Sequence, residues 1–185
     1  MASKRLFPLF LVGCLVTVLL ACRSEQPTVK DSSLRLDLIE QAMDAVDAGV
    51  GADQAYFEIN VTDSVVNLFL ASDLDGQPNP DGLPDAMVQY IFTSQDGLED
   101  VAPALAANGP TFTRSAVNFS IEKVLLKVVS ALPNSTATMF VIAGVGTASG
   151  STGIADYRVH MNSSQGGEMS VLVTKDGEII GTDAS

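Results

Sequence analysis

The stretch IADYRVHMNSSQGGEMSVLVTKDGEII, residues 154–180, decides the fold class. Its first part alternates, with Tyr157, Val159 and Met161 on one side and Asp156, Arg158 and His160 on the other. A period of two belongs to a strand with one buried and one solvated face. A second strand-like run covers Met169 to Thr174. Lys175-Asp176-Gly177-Glu178 then leads into Ile179-Ile180, and Asp-Gly between apolar runs signals a tight hairpin. This end of the chain therefore predicts an antiparallel ladder.

Outward from there, Thr138 to Ala143 is another apolar strand. Ile121, Val124/Leu125, Val128 and Leu132 before it recur at helical spacing, with Glu122, Lys123 and Lys127 opposite and Pro133 as the stop. The same segment also reads as a strand, because Val117, Phe119 and Ile121 alternate and β-branched residues are plentiful. The order repeats upstream. From Leu34, the positions Leu38/Ile39, Ala42/Met43, Val46 and Val50 predict a helix capped by Ser32 or Ser33 and ended by Gly49 and Gly51. Strands follow at Ala55 to Val61, Val65 to Ala71 and Met87 to Thr93, with a Gln95-Asp96-Gly97 turn after the third. Residues 98–110 are rich in Ala and Pro and read as irregular.

The two cycles look like one unit used twice: LIEQAMDAVDAG beside SIEKVLLKVVSAL, and YIFTSQDGLED beside SVLVTKDGEII. One αβββ unit cannot bury both faces of its elements, whereas two side by side make one antiparallel sheet with helices on one face. The expected fold is α+β, with a first unit at 34–110 and a second at 111–185. The second unit resembles a PepSY domain over residues 115–183, carried by ALPNSTAT after the helix, then YRVHM, then GGEMSVLVTKDGEIIGTD. That resemblance implies an exported or membrane-associated αβββ fold linked to protease inhibition and protein–protein contacts, and it brings no catalytic motif. The first unit departs from it through an acidic loop of residues 73–85. A competing resemblance is to an Ig-like β-sandwich with an N-terminal helix, in which 116–130 is strand.

The amino-terminus reads as an address. Lys4 and Arg5 precede an almost wholly apolar run, Leu6 to Leu20, which ends Leu19-Leu20-Ala21-Cys22. The run has the length of a signal-peptide core and is short for a membrane span. The ending resembles the bacterial lipobox. That resemblance implies cleavage of residues 1–21, lipidation of Cys22 and extracytoplasmic anchoring to the cell membrane or the outer membrane. Residues 22–33 then form the lipidated Cys and a polar tether. Several acyl chains, at about 0.8 kcal/mol per buried methylene, anchor stably where one is marginal.

The chain has 185 residues and carries 10 basic against 22 acidic side chains, one His and two Cys. Loss of Lys4 and Arg5 with the signal leaves 8 basic residues, 22 acidic ones and a charge of −14. Residues 23–102 account for −13 of it and residues 103–185 for −1. So acidic a chain excludes nucleic acid as the expected partner, since phosphate contacts need Lys and Arg. One His and two Cys cannot make a four-ligand zinc site. With Cys14 in the signal and Cys22 lipidated, neither a disulfide framework nor a thiol nucleophile remains.

Asp73, Asp75, Asn79, Asp81 and Asp85 place five oxygen donors in one Gly- and Pro-rich loop, the kind of donor set calcium takes. The loop departs from an EF-hand, with Pro78 at its sixth position and Pro84 at its twelfth. Pro, Gly and Asp are also what a long solvated turn region contains. Gly144 to Gly153 lacks the Lys of a phosphate loop and reads as a flexible hairpin loop. His160, beside Asp156 and Arg158 and near Ser163 and Ser164, lacks a nucleophile elbow. Asp37, Glu40, Asp44 and Asp47 form an acidic helix face that either steers a cation or basic partner or is simply solvated. The sequence thus predicts a non-enzymatic, lipid-anchored envelope protein that binds a protein partner. A small-ligand or lipid carrier and a calcium-binding structural module are the alternatives.

Overall fold

The computed structural model describes residues 33–184, apart from 75, 78, 79, 82, 148 and 149; at 147 and 150–152 it describes the backbone alone. Two helices, α1 (Leu38–Gly49) and α2 (Ile121–Ala131), pack on one antiparallel sheet. Its strands are β1 (Ala55–Val61), β2 (Val66–Ser72), β3 (Ala86–Thr93), β4 (Gly97–Asp100), β5 (Leu105–Ala106), β6 (Phe112–Thr113), β7 (Ser135–Thr147), β8 (Gly150–Ser163), β9 (Glu168–Val173) and β10 (Ile179–Ala184). Across the sheet the order is β10-β9-β8-β7-β1-β2-β3-β4, with β5 paired to β3 and β6 to β1.

That order is a palindrome of two meanders, β1-β2-β3-β4 and β7-β8-β9-β10, joined where their first strands run antiparallel. Glu58 lies opposite Ala143, Ile59 opposite Ile142, Asn60 opposite Val141 and Val61 opposite Phe140. The halves are thus related by an approximate twofold through the β1/β7 seam. Each meander has one strand more than the expected αβββ, because the chain continues past each Asp-Gly turn into β4 or β10, and the short β5 and β6 add one more to each half. The two turns are built alike. Gly97 and Gly177 sit at φ of +77° and +82°, where L side chains are strained. Thr93 Oγ1 accepts from the Asp96 N–H, and Thr174 Oγ1 accepts from the Glu178 N–H.

The helices form because their apolar stripes have a common cover. Leu38, Ile39, Ala42, Met43 and Val46 of α1 join Ile121, Val124, Leu125 and Val128 of α2 in one buried cluster. The sheet supplies the other wall: Ile59, Val61, Val66, Leu68, Phe140, Ile142, Tyr157, Val159, Val171 and Val173. Both helices therefore cover the same sheet face. Each fully buried side chain of this size contributes roughly 1.5–3 kcal/mol relative to exposure. Tyr56 stacks on Phe112 with ring centroids 5.7 Å apart, and Phe140 meets Tyr157 at 5.5 Å.

Several expectations are corrected. The sandwich alternative gives way to one sheet, and the ambiguous 121–131 segment is helix, because helical phase buries four residues while Phe119 stays exposed. α1 begins at Leu38 rather than Leu34. Leu34 and Leu36 are buried ahead of the helix, where Arg35 N–H bonds the Thr62 carbonyl and a turn at Leu36 and Asp37 leads into α1. Ser32 lies outside the described residues and Ser33 does not cap α1: Asp37 holds that position, and Arg35 grips its carboxylate at 3.0 and 2.9 Å and holds it below the usual carboxylate range. Residues 98–110 are not wholly irregular but contain the β4 and β5 edge strands, separated around Pro103. The glycines of 144–153 lie in the long β7/β8 hairpin rather than in a ten-residue loop.

Candidate binding face

The face of the sheet turned away from the helices is the candidate site. Strand alternation places on it the residues that the core does not take, and the register aligns them in cross-strand rows. One row runs Leu172, Arg158, Val141, Asn60, Asn67, Ile91 and Glu99. The next runs Asp156, Ala143, Glu58, Phe69 and Gln89. Apolar and polar side chains thus intermingle. Gln89 Nε2 donates to Asn67 Oδ1 at 3.3 Å, whereas Asn60 Oδ1 is buried with no hydrogen-bond partner among the described residues.

A groove of about 400 Å³ opens at the seam end of this face. Its apolar wall is Phe57, Phe69 and Met87, and Glu58 supplies a carboxylate. Phe57 reaches it through an irregularity in β1. The strand changes neighbours there, pairing with β6 at Ala55 and Tyr56 and with β7 from Glu58 on, and the β2 register slips between Tyr56 and Glu58. The connection Asn108-Gly109-Pro110 forms the rim. It comes so close to β7 that a Cβ on Gly144 would lie 2.3 Å from the Pro110 carbonyl oxygen.

His160 belongs to the same face. Its Nδ1 is 3.0 Å from Ser170 Oγ, not from a carboxylate. Partial burial lowers its pKa first and Arg158 adds to that, while Glu58 and Glu168 pull the other way. Asp156 and Ser163 lie on the same strand, but neither is among its hydrogen-bond partners.

The acidic helix face is not merely solvated. Arg114, in a 3-10 turn ahead of α2, reaches Asp44 at 2.7 Å, Asp47 at 3.1 Å and Glu40 at 3.9 Å. Its guanidinium carbon also lies 5.4 Å from the Phe119 ring centre. These partners are 67 to 74 residues away in sequence, so no local pattern reveals them. Asp37 lies apart from the cluster, paired with Arg35.

In the predicted calcium loop, Asp73, Asp81 and Asp85 are described, while Asp75 and Asn79 lie outside the described residues. Asp85 Oδ1 accepts from the Leu74 N–H at 2.8 Å and Asp81 Oδ1 from the Leu83 N–H at 3.0 Å, so both carboxylates hold the loop's own backbone. Among the described residues no group of three or more His, Cys, Asp and Glu is placed to hold a metal ion. Cys22 and the amino-terminal segments 1–21 and 22–32 also lie outside the described residues. No described helix is long and apolar enough to cross a membrane.

Sequence reasoning missed Arg114, the Phe57/Phe69/Met87 groove and Gly144. The chain matches no family model, no curated protein and no solved structure.

Proposed function

We propose that this chain is an exported, lipid-anchored envelope protein that binds a protein partner on the open face of its sheet and performs no catalysis. The observation that carries the reading is a wide sheet that, among the described residues, helices cover on one side alone, and whose other side sets the part-exposed Phe69, Ile91 and Leu172 among polar neighbours. An apolar patch in a polar surround is the composition of an interaction surface. The layer between helices and sheet is filled by Tyr56, Phe112, Phe140 and Tyr157, which favours a partner-binder over a carrier with its ligand in that layer. The lipobox-like Leu19-Leu20-Ala21-Cys22 supports the anchor. The PepSY-like second half supports a protein partner, with protease inhibition as its familiar form, and the envelope as the setting.

A photocrosslinking residue at position 69 on the open face is compared with one at position 127 on α2. The reading expects a discrete protein adduct from position 69 in the envelope fraction, lost on Ile91→Arg. Equal adducts from both positions, or none from 69, would reject it. Cys22→Ser should abolish labelling by palmitate, and undiminished labelling would reject the anchor.

A further inference from the structure

Resting on the open-face reading, we infer that the groove at Phe57, Phe69 and Met87 takes a partner segment in which one large apolar side chain is flanked by Lys or Arg. Three features of the groove converge on that occupant. Its wall is aromatic and thioether, a surface that receives an apolar side chain, and its volume of about 400 Å³ holds one large side chain with part of its backbone. Its charged lining group is Glu58, and Asp156 lies two strands over in the same cross-strand row. Among the described residues neither carboxylate has a cationic partner within salt-bridge distance, unlike the α1 carboxylates, which Arg114 and Arg35 take.

The long-range field has the same sign. With 22 acidic and 10 basic side chains the chain as a whole attracts cations, so a basic segment is steered toward it and an acidic one turned away. The groove is also built to keep its shape. The Asn108-Gly109-Pro110 rim is packed close against Gly144, and a Cβ on Gly109 would lie 3.9 Å from the Phe57 ring. A preformed groove does not spend binding free energy on ordering itself.

The test uses the full chain and three capped tripeptides, Lys-Phe-Lys, Glu-Phe-Glu and Lys-Ser-Lys, followed by amide shifts in NMR. Saturable shifts at Glu58, Phe69 and Ala143 are expected with Lys-Phe-Lys alone. Glu58→Gln should weaken that binding about threefold to tenfold, and salt should do the same to the native chain. Phe69→Ser should abolish it, with Met87→Ser as the second variant should Phe69→Ser not fold. Equal binding of Glu-Phe-Glu, or shifts elsewhere, overturns the inference. The two readings fail separately. A position-69 adduct whose yield Glu58→Gln leaves unchanged overturns the basic occupant and keeps the open face, whereas no adduct at all removes the open face itself.

Discussion

Arg114 Nη2 lies 2.7 Å from Asp44 Oδ1, and through it the turn that opens the second half is fastened to the helix of the first. The Arg114 side chain is 29% exposed and its guanidinium faces three carboxylates, so removing it loses an attraction and leaves Glu40, Asp44 and Asp47 to repel one another. Single exposed pairs contribute little, but a partly buried network with an aromatic contact contributes more. Arg114→Ala should lower stability by about 1–2 kcal/mol in urea unfolding, with the deficit shrinking in 0.5 M salt as screening weakens both terms, on the order of a 4 Å Debye length. A salt-independent deficit would count against the electrostatic account.

Two buried tyrosines make opposite predictions. Tyr157 Oη accepts the Asn118 N–H at 2.7 Å, while Tyr56 Oη is buried without a hydrogen-bond partner among the described residues. Tyr157→Phe leaves a backbone donor stranded and should cost about 1–3 kcal/mol. Tyr56→Phe removes a hydroxyl that satisfies nothing and should be neutral or slightly stabilising. Thermal unfolding of the two variants side by side decides it.

Alkaline pH probes the same residue. Burial, reinforced by Asp47, pushes the Tyr56 phenol up to about 12, against an unfolded value near 10. The folded protein holds this proton after the unfolded chain has released it. Its ionisation therefore leaves stability unchanged below about pH 10 and lowers it as pH rises toward 12. Burial raises Tyr157 in the same direction. Phenolate absorbance should show both groups ionising late, and Tyr56→Phe should flatten the alkaline loss.

His160 titrates the other way. Its folded pKa is lowered, by burial and then by Arg158, so its contribution is present above the unfolded value near 6.5 and is lost as pH falls through the folded one. Imidazole NMR should place its midpoint below 6.5. Arg158→Gln should raise the midpoint, and Glu58→Gln or Glu168→Gln should lower it.

Gly144→Ala tests the rim. The new methyl would meet the Pro110 carbonyl oxygen at 2.3 Å and its carbon at 2.7 Å, both backbone atoms that cannot rotate aside. A loss of about 2–4 kcal/mol is expected. Gly166→Ala has open space around it but a φ of +92°, so it carries conformational strain alone and should cost less.

The elements with a strong local period were legible in the sequence. Ala55–Val61 is a strand with the predicted bounds, and of the two readings open for 121–131 the fold takes the helical stripe. Asp96-Gly97 and Asp176-Gly177 turn as their chemistry demands. What the sequence could not display is pairing at a distance. Leu105–Ala106 and Phe112–Thr113 become strands only because β3 and β1 offer them hydrogen bonds, and two residues carry no pattern of their own. The candidate face suffers most from this. Phe57 reaches it through a change of strand partners and Gly144 matters through a tertiary approach, while Glu58 and Asp156 share a row only once the seam exists. The acidic helix face was visible, but its cation lay 67 residues beyond Asp47.

The seam also sets a timetable. Glu58 waits for Ala143, 85 residues later, before the middle of the sheet can close. Until β7 is available, β1 presents a bare edge, and the first meander is an unfinished sheet with half its apolar cover missing. Loop-closure entropy makes such distant pairing slow relative to the hairpins on either side. The hairpins should therefore zip early and the dyad last. During that interval the chain is most exposed to mispairing, with a second copy of its own β1 as the nearest substitute for β7.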